Sequence, residues 1–283
     1  PFKQMKKHIH HIHIIILTGI VIFFLGLVAI NSFLENAYSA NPVNFGVSFT
    51  PRYAKQLGLN PKQTYESILD LGVKHIRLSA YWDEIEPFDS VYPERSRGTQ
   101  GKPLFYFDDL DYYINQAEKR NANIILAIGY KLPRWPECRA PEWLSQYQQR
   151  HPEPAEGEAR HGRLDSGSIL RERQLIMVKE VISRYKENPT ITAFQIENEP
   201  LLPFGGCPPV DRKFLHEELK LVKSLSNKPV ILTDAGELRP WITPMKLSDI
   251  FGTTLYRKVQ NPFFGDVYYP IPVWSYRFKS ELV

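Results

Sequence analysis

From Asn44 onward, short apolar runs alternate with longer stretches whose apolar positions recur at helical spacing. Six runs predict strands: Phe45 to Phe49, His75 to Leu78, Asn123 to Gly129, Ile191 to Ile196, Pro229 to Thr233 and Asp249 to Thr254. Between them, Pro61 through Leu71 predicts a helix, with Tyr65, Ile68 and Leu69 on one face and Gly72 as its stop. Asp109 through Arg120 predicts the next, facing inward through Leu110, Tyr113, Ile114 and Ala117. Leu170 through Lys186 and Phe214 through Leu225 predict two more.

Near-continuous apolar strands separated by amphipathic helices are the pattern of a parallel sheet covered by helices. A closed barrel and an open doubly wound sheet share it. No Gly-rich phosphate loop follows the first strand, which counts against a dinucleotide site. Polar and aromatic residues instead cluster directly after the strands, at Tyr81-Trp82, Lys131 to Trp135, Glu197 to Glu199 and Asp234 to Glu237. Barrel enzymes carry their chemistry at that end. The expected fold class is therefore α/β, a (β/α)8 TIM barrel that is incomplete, since six strands are legible where a barrel has about eight. Two polar stretches, Pro93 to Gly98 and Pro152 to Gly157, read as surface loops.

The first 40 residues follow a different rule. Lys3, Lys6 and Lys7 precede an uncharged, apolar run from Ile14 to Ile30, and Ala37-Tyr38-Ser39-Ala40 then offers a small-residue cleavage site. Basic residues ahead of an apolar run keep the N-terminus inside and send the rest outward. Residues 1–40 are expected to be a signal peptide or membrane anchor, and residues 41–283 the barrel domain. The sequence opens on Pro1 and not on Met, so Met5 is a candidate start, and the histidines between His8 and His13 read as part of the basic region. An extracytoplasmic location follows, with membrane association only through residues 14–30.

A net charge of +4 with no basic stripe gives no basis for nucleic-acid binding. His75, His151, His161 and His216 lack ligand spacing, so no metal and no cofactor is expected, and no Gly-x-Ser-x-Gly elbow suggests an esterase. Aromatics at 13%, with five Trp and fifteen Tyr, suit either a sugar-stacking cleft or an aromatic core.

The sharpest motif is Gln195-Ile196-Glu197-Asn198-Glu199-Pro200, in which an apolar strand ends in an Asn-Glu pair closed by proline. Hydrolysis of a glycosidic bond needs a positioned carboxylic acid, and a barrel mouth of low dielectric suits one that must hold its proton. A surface turn is the other reading of such a sequence. With this motif, Ile76-Arg77-Leu78, Tyr81-Trp82, Ile85-Glu86-Pro87, Phe105 to Asp111 and Thr253 to Tyr256, the chain resembles the clan A glycoside hydrolases. These are the cellulase-like and β-galactosidase-like (β/α)8 enzymes, and the likeness runs from about Asn44 to Tyr256. It implies Glu199 as acid/base, Asn198 as a substrate contact, Arg77 as the residue that orients the nucleophile, and Tyr256 as part of the cleft. For Arg77 a structural ion pair is the alternative. Trp82 and Trp135 are either sugar platforms or core residues. The implied substrate is an oligo- or polysaccharide with a β linkage.

The same resemblance places the nucleophile on a Glu ending strand seven. After Tyr256 the acidic residues are Asp266 and Glu281, and Glu281 lies where a helix is expected to begin; Glu237 follows strand five. The nucleophile is thus expected to be missing, leaving a fragment, an inactive carbohydrate-binding barrel, or an unrelated barrel enzyme that uses Glu199 to abstract a proton. Cys138 and Cys207 follow the third and fourth strands, neighbours in a parallel barrel. Both thiols then rise on one rim, and a disulfide is expected, with two free thiols as the alternative.

Overall fold

The computed structural model describes residues 2–38, 44–87, 105–134, 138–144, 169–203, 207, 209–236, 239–256, 258–261, 265–269, 272 and 274–281. The chain divides into two compact units, Asn44–Leu255 on one hand and Pro1–Val43 with Tyr256–Val283 on the other.

The unit Asn44–Leu255 is built on six parallel strands: β1 (Val47–Ser48), β2 (His75–Ser79), β3 (Asn123–Ile128), β4 (Ile191–Ile196), β5 (Val230–Asp234) and β6 (Ile250–Thr253). They pair strictly in sequence order, β1 to β6, so each connection returns to the next position in the sheet. Before and between the strands run α2 (Pro51–Gln56), α3 (Pro61–Asp70), α4 (Trp82–Ile85), α5 (Asp108–Lys119), α6 (Ile169–Tyr185), α7 (Arg212–Leu225) and α8 (Ile242–Leu247); α1 (Phe2–Tyr38) precedes them all. This is an incomplete (β/α) barrel, a curled sheet with six of the expected strands and helices between them.

Local chemistry sets the helix starts. Asn60 caps α3 by accepting the Gln63 amide at 3.1 Å, with Pro61 supplying a fixed φ in the first turn. Asp211 caps α7 by accepting the amides of Lys213 and Phe214 at 2.9 and 3.2 Å. Gly72, at φ +86, ends the first of these in a left-handed turn.

The core lies between the sheet and its helices. Ile76 and Leu78 of β2, Ile124, Leu126 and Ile128 of β3, and Phe194 and Ile196 of β4 are buried against Tyr65, Ile114, Val178, Ile182 and Phe214 of the helices. Alternation along each strand leaves the other face for polar groups. There Arg77 of β2 donates to Ser48 Oγ at 2.9 Å and to Gln195 Oε1 of β4 at 3.3 Å.

The elements α4 and α8 and the turn of helix at α2 are too short to show a period in the sequence. In the second unit, β7 (Lys258–Asn261) and β8 (Gly265–Tyr268) form an antiparallel hairpin, followed by α9 (Trp274–Glu281). The helix expected to begin near Glu281 begins earlier, at Trp274, and includes Glu281. Within the same unit α1 contains one helix long and apolar enough to cross a membrane, His13–Ala37, by length and composition. The two polar stretches at 93–98 and 152–157 lie outside the described residues.

Phe194 has no exposed surface, whereas Thr192 on the same strand is exposed. Phe194→Ala should destabilise the unit by about 3–5 kcal/mol in urea denaturation, and Thr192→Ala by about 0.5 kcal/mol or less. Equal effects at the two positions would overturn the assignment of Phe194 to the packed core.

Candidate active site

The loops after β3, β4 and β5 meet at one end of the sheet, and the backbone there is strained. Five described non-glycine residues have positive φ, and four of them, Arg134, Glu197, Glu199 and Trp241, follow these three strands. Such conformations cost of order 1–3 kcal/mol each and persist only where surrounding contacts over-determine them.

The contacts that do so are visible around the Glu197-Asn198-Glu199 turn. Glu197 donates its amide to Ile128 O at 2.8 Å, and Asn198 donates to Lys131 O at 2.7 Å, so the turn is laced to the end of β3. Glu199 donates its amide to Thr233 Oγ1 of β5 at 2.8 Å. Its carbonyl accepts from Lys131 Nζ at 3.2 Å, and that ammonium also reaches Leu202 O at 3.4 Å. Both Lys131 and Glu199 are buried. Gln195 Nε2 donates to Glu197 O at 2.9 Å and to Asn198 Oδ1 at 3.4 Å, while its oxygen accepts from Arg77. Arg77, Gln195 and Asn198 therefore form one connected group across β2 and β4, and Glu199 is the next residue along the chain.

The two acids of the motif have different surroundings. The Glu197 carboxylate is enclosed: Tyr130 N and Lys131 N donate to it at 2.9 and 2.6 Å, and Gln174 Nε2 of α6 at 2.5 Å. Burial pushes its pKa up to about 7, against the pull of those donors and of Lys131. Glu218 of α7, also fully buried, shares Gln174 Nε2 at 2.5 Å, and burial followed by the nearby Glu197 charge holds its carboxyl well above the ordinary range. Sequence reasoning missed Glu197, Gln174 and Glu218 as a group. Their chemistry sits between sheet and helices, at positions that read as helix surface.

Other expected residues fall differently. Of its two readings Trp82 takes that of a core residue: it has no exposed surface, its indole N–H donates to Glu86 Oε2 at 2.8 Å, and it packs in the core, so it offers no face to a sugar. Glu86, itself buried, is also bound by Arg173 of α6. Tyr256 is exposed and belongs to the other compact unit. Trp135 and Glu237 lie outside the described residues. Cys138 and Cys207 form a disulfide, with Cα atoms 5.5 Å apart, joining the loops after β3 and β4. Among the described residues no group of three or more His, Cys, Asp or Glu could hold a metal ion.

A partial (β/α) barrel with an Asn-Glu-Pro turn, its glutamate buried, closing its fourth strand has the architecture of the clan A glycosidases. The sequence profile of glycoside hydrolase family 42, described as beta-galactosidase, matches residues 61–226, and the chain belongs to that family. A search of curated proteins finds no match. Among solved structures, the chain is similar to the beta-galactosidase of the psychrophilic Marinomonas ef1, with a TM-score of 0.51 at 15% identity over 76% of this chain and 41% of that one. It is likewise similar to the beta-galactosidase of Rahnella sp. R3, with a TM-score of 0.50 at 12% identity over 75% of this chain and 39% of that one. The chain thus spans about two fifths of those enzymes, and at such identities the likeness is one of fold.

Gly129 closes β3 at φ +137, and a Cβ there would stand 2.5 Å from the Glu197 carboxylate. Gly129→Ala should therefore cost about 2 kcal/mol or more, from backbone strain and overpacking together. Ala at the solvent-facing Gly58, also at positive φ but with nothing within 4 Å, is the control for strain alone. Equal losses at the two sites in urea denaturation would remove the steric part of the argument.

Proposed function

We propose that this chain carries the acid/base half of a retaining glycoside hydrolase acting on a β-linked saccharide outside the cytoplasm. Glu199 is the acid/base and Asn198 contacts a sugar hydroxyl. The supporting observation is the Asn198-Glu199-Pro200 turn, held at the end of the fourth parallel strand in a chain of a glycosidase family. In the first step Glu199 gives its proton to the glycosidic oxygen as a second carboxylate attacks the anomeric carbon; in the second it takes a proton from the water that releases the sugar. Such a pair stands about 5–5.5 Å apart in retaining enzymes. We assign the second carboxylate to a seventh barrel strand, with Arg77 orienting it. The Cys138–Cys207 bond ties together the loops on either side of Glu199. Residues 41–283 form the barrel domain in this proposal, and residues 1–40 direct export or anchor the chain.

A second reading is a catalytically inactive carbohydrate-binding barrel, which keeps the cleft without a second carboxylate.

Both readings are tested with a β-linked disaccharide and a p-nitrophenyl β-galactoside. In a protein that joins this chain to a seventh strand ending in Glu, Glu199→Gln should lower kcat on the disaccharide by about 10²–10⁴-fold, the usual worth of a general acid. The glycosylation step on the aryl substrate should suffer less, because its leaving group needs little protonation. Equal losses in that step would count against the acid role. Saccharide binding without turnover by the joined protein would establish the second reading.

A further inference from the structure

A carboxyl group taken fully out of water is costly unless it is neutral or well supplied with donors. Behind β4 two such groups meet. Glu197 and Glu218 have no exposed surface, and one amide of α6 joins their carboxyls. Both accept from the one Gln174 amide at 2.5 Å. Two ionised carboxylates sharing a single neutral amide out of reach of water would repel, so a proton must lie in the pair.

The donors show where it resides. Glu197 has three, from Tyr130 N, Lys131 N and Gln174 Nε2. Glu218 has Gln174, and its Oε2 is buried without a donor, as is Gln174 Oε1. A proton on Glu218 removes the charge from the carboxyl that has the fewer donors and leaves it on Glu197, which has three. The other charged and titratable groups around the pair are accounted for. From the end of β3 come the Tyr130 hydroxyl and Lys131, whose ammonium favours the Glu197 charge. From α6 comes Arg171, which favours ionised Glu218 but is bound to Glu217 of α7. Arg173, on the same helix, is bound to Glu86.

The pair is linked to the proposed catalytic residue through one side chain. Lys131 donates its amide to Glu197 Oε2 and its ammonium to Glu199 O, and its carbonyl accepts from Asn198 N. We propose that Lys131, Glu197, Gln174 and Glu218 form a buried one-proton unit that positions the Asn198-Glu199 peptide. Its catalytic consequence rests on the acid/base reading of Glu199; the proton sharing does not. All four are positioning residues.

The unit predicts a pH dependence with a definite sign. In the unfolded chain both glutamates have released their protons above the ordinary value of 4.5. The folded pair retains one, so folding takes up a proton and stability falls as pH rises from that value toward neutrality and beyond. When the retained proton leaves, two charges face each other and the clamp on Tyr130, Lys131 and the following turn loosens.

The test uses the full chain in detergent, unfolded by urea at several values between about pH 5 and pH 8.5, alongside Glu218→Gln. Gln keeps a donor but cannot ionise. The wild-type midpoint should fall across the range, and Glu218→Gln should remove most of that fall. Hydrogen exchange of residues 129–133 and 195–203, corrected for intrinsic rates, should accelerate by about tenfold with pH in the wild type, as expected for a shift of about one pK unit. In Glu218→Gln it should stay within about twofold. A variant retaining the full wild-type slope, or exchange in these segments indifferent to pH, overturns the proposal. If Glu218→Gln does not fold, carboxyl titration of ¹³C-labelled wild-type chain decides it. Two buried glutamates both ionised near pH 6 would refute the shared proton, and one remaining protonated there would support it. Glu199→Gln should leave slope and exchange unchanged, so a chain that shows the proton unit but fails as a glycosidase sinks only the functional reading.

Discussion

The Glu197 carboxylate is the contact on which the end of the sheet depends. An anion shut away from water must be met by donors, and here two of the three are backbone amides of the strand next door. Those amides lie just beyond the last β3–β4 pairing, where the ladder has ended and a loop must begin. By accepting them, Glu197 extends the union of β3 and β4 past its last rung. The loop after β3 then leaves from a fixed point, and the turn that carries Glu199 is fixed against it. Thr233 at the end of β5 holds the same turn from the other side. Three consecutive strands thus contribute to the position of one short peptide.

Much of this architecture was legible in the sequence because strands and helices obey different periods. The runs at 123–129 and 191–196 are realised as β3 and β4 almost to the residue, and α3, α5, α6 and α7 fall within two residues of their expected ends. Each of those helices is long enough for an apolar face to repeat. The hairpin of β7 and β8 was not legible, since four-residue strands with mixed polarity show no period.

The site was legible only in part. Asn198 and Glu199 stood out through their position after a strand, and Cys138 and Cys207 through the adjacency of their strands. Trp82 could not be decided, because an indole stacks on a sugar and fills a core with equal ease; the decision came from Glu86, four residues on, whose carboxylate takes the indole proton. Glu197 was hidden for a related reason. Its partners Gln174 and Glu218 lie on different helices, and a polar residue on an amphipathic helix reads as solvent-facing until the neighbouring helix is placed against it. Burial of charge is a property of packing, and no local pattern announces it.

Gly129 links the strand end to this buried anion in a further way. Its missing side chain is the space that the Glu197 carboxylate occupies, so the two positions share one volume. Neither is free to vary alone. A larger residue at 129 becomes sterically tolerable only on a background where 197 has already become small, while loss of the acid first would leave a void and two orphaned amides. Substitution therefore has a preferred order and an unfavourable intermediate on either route, which makes this pair an evolutionary ratchet: a dipeptide-sized commitment, spread over two strands, that drift can leave only by two coordinated steps.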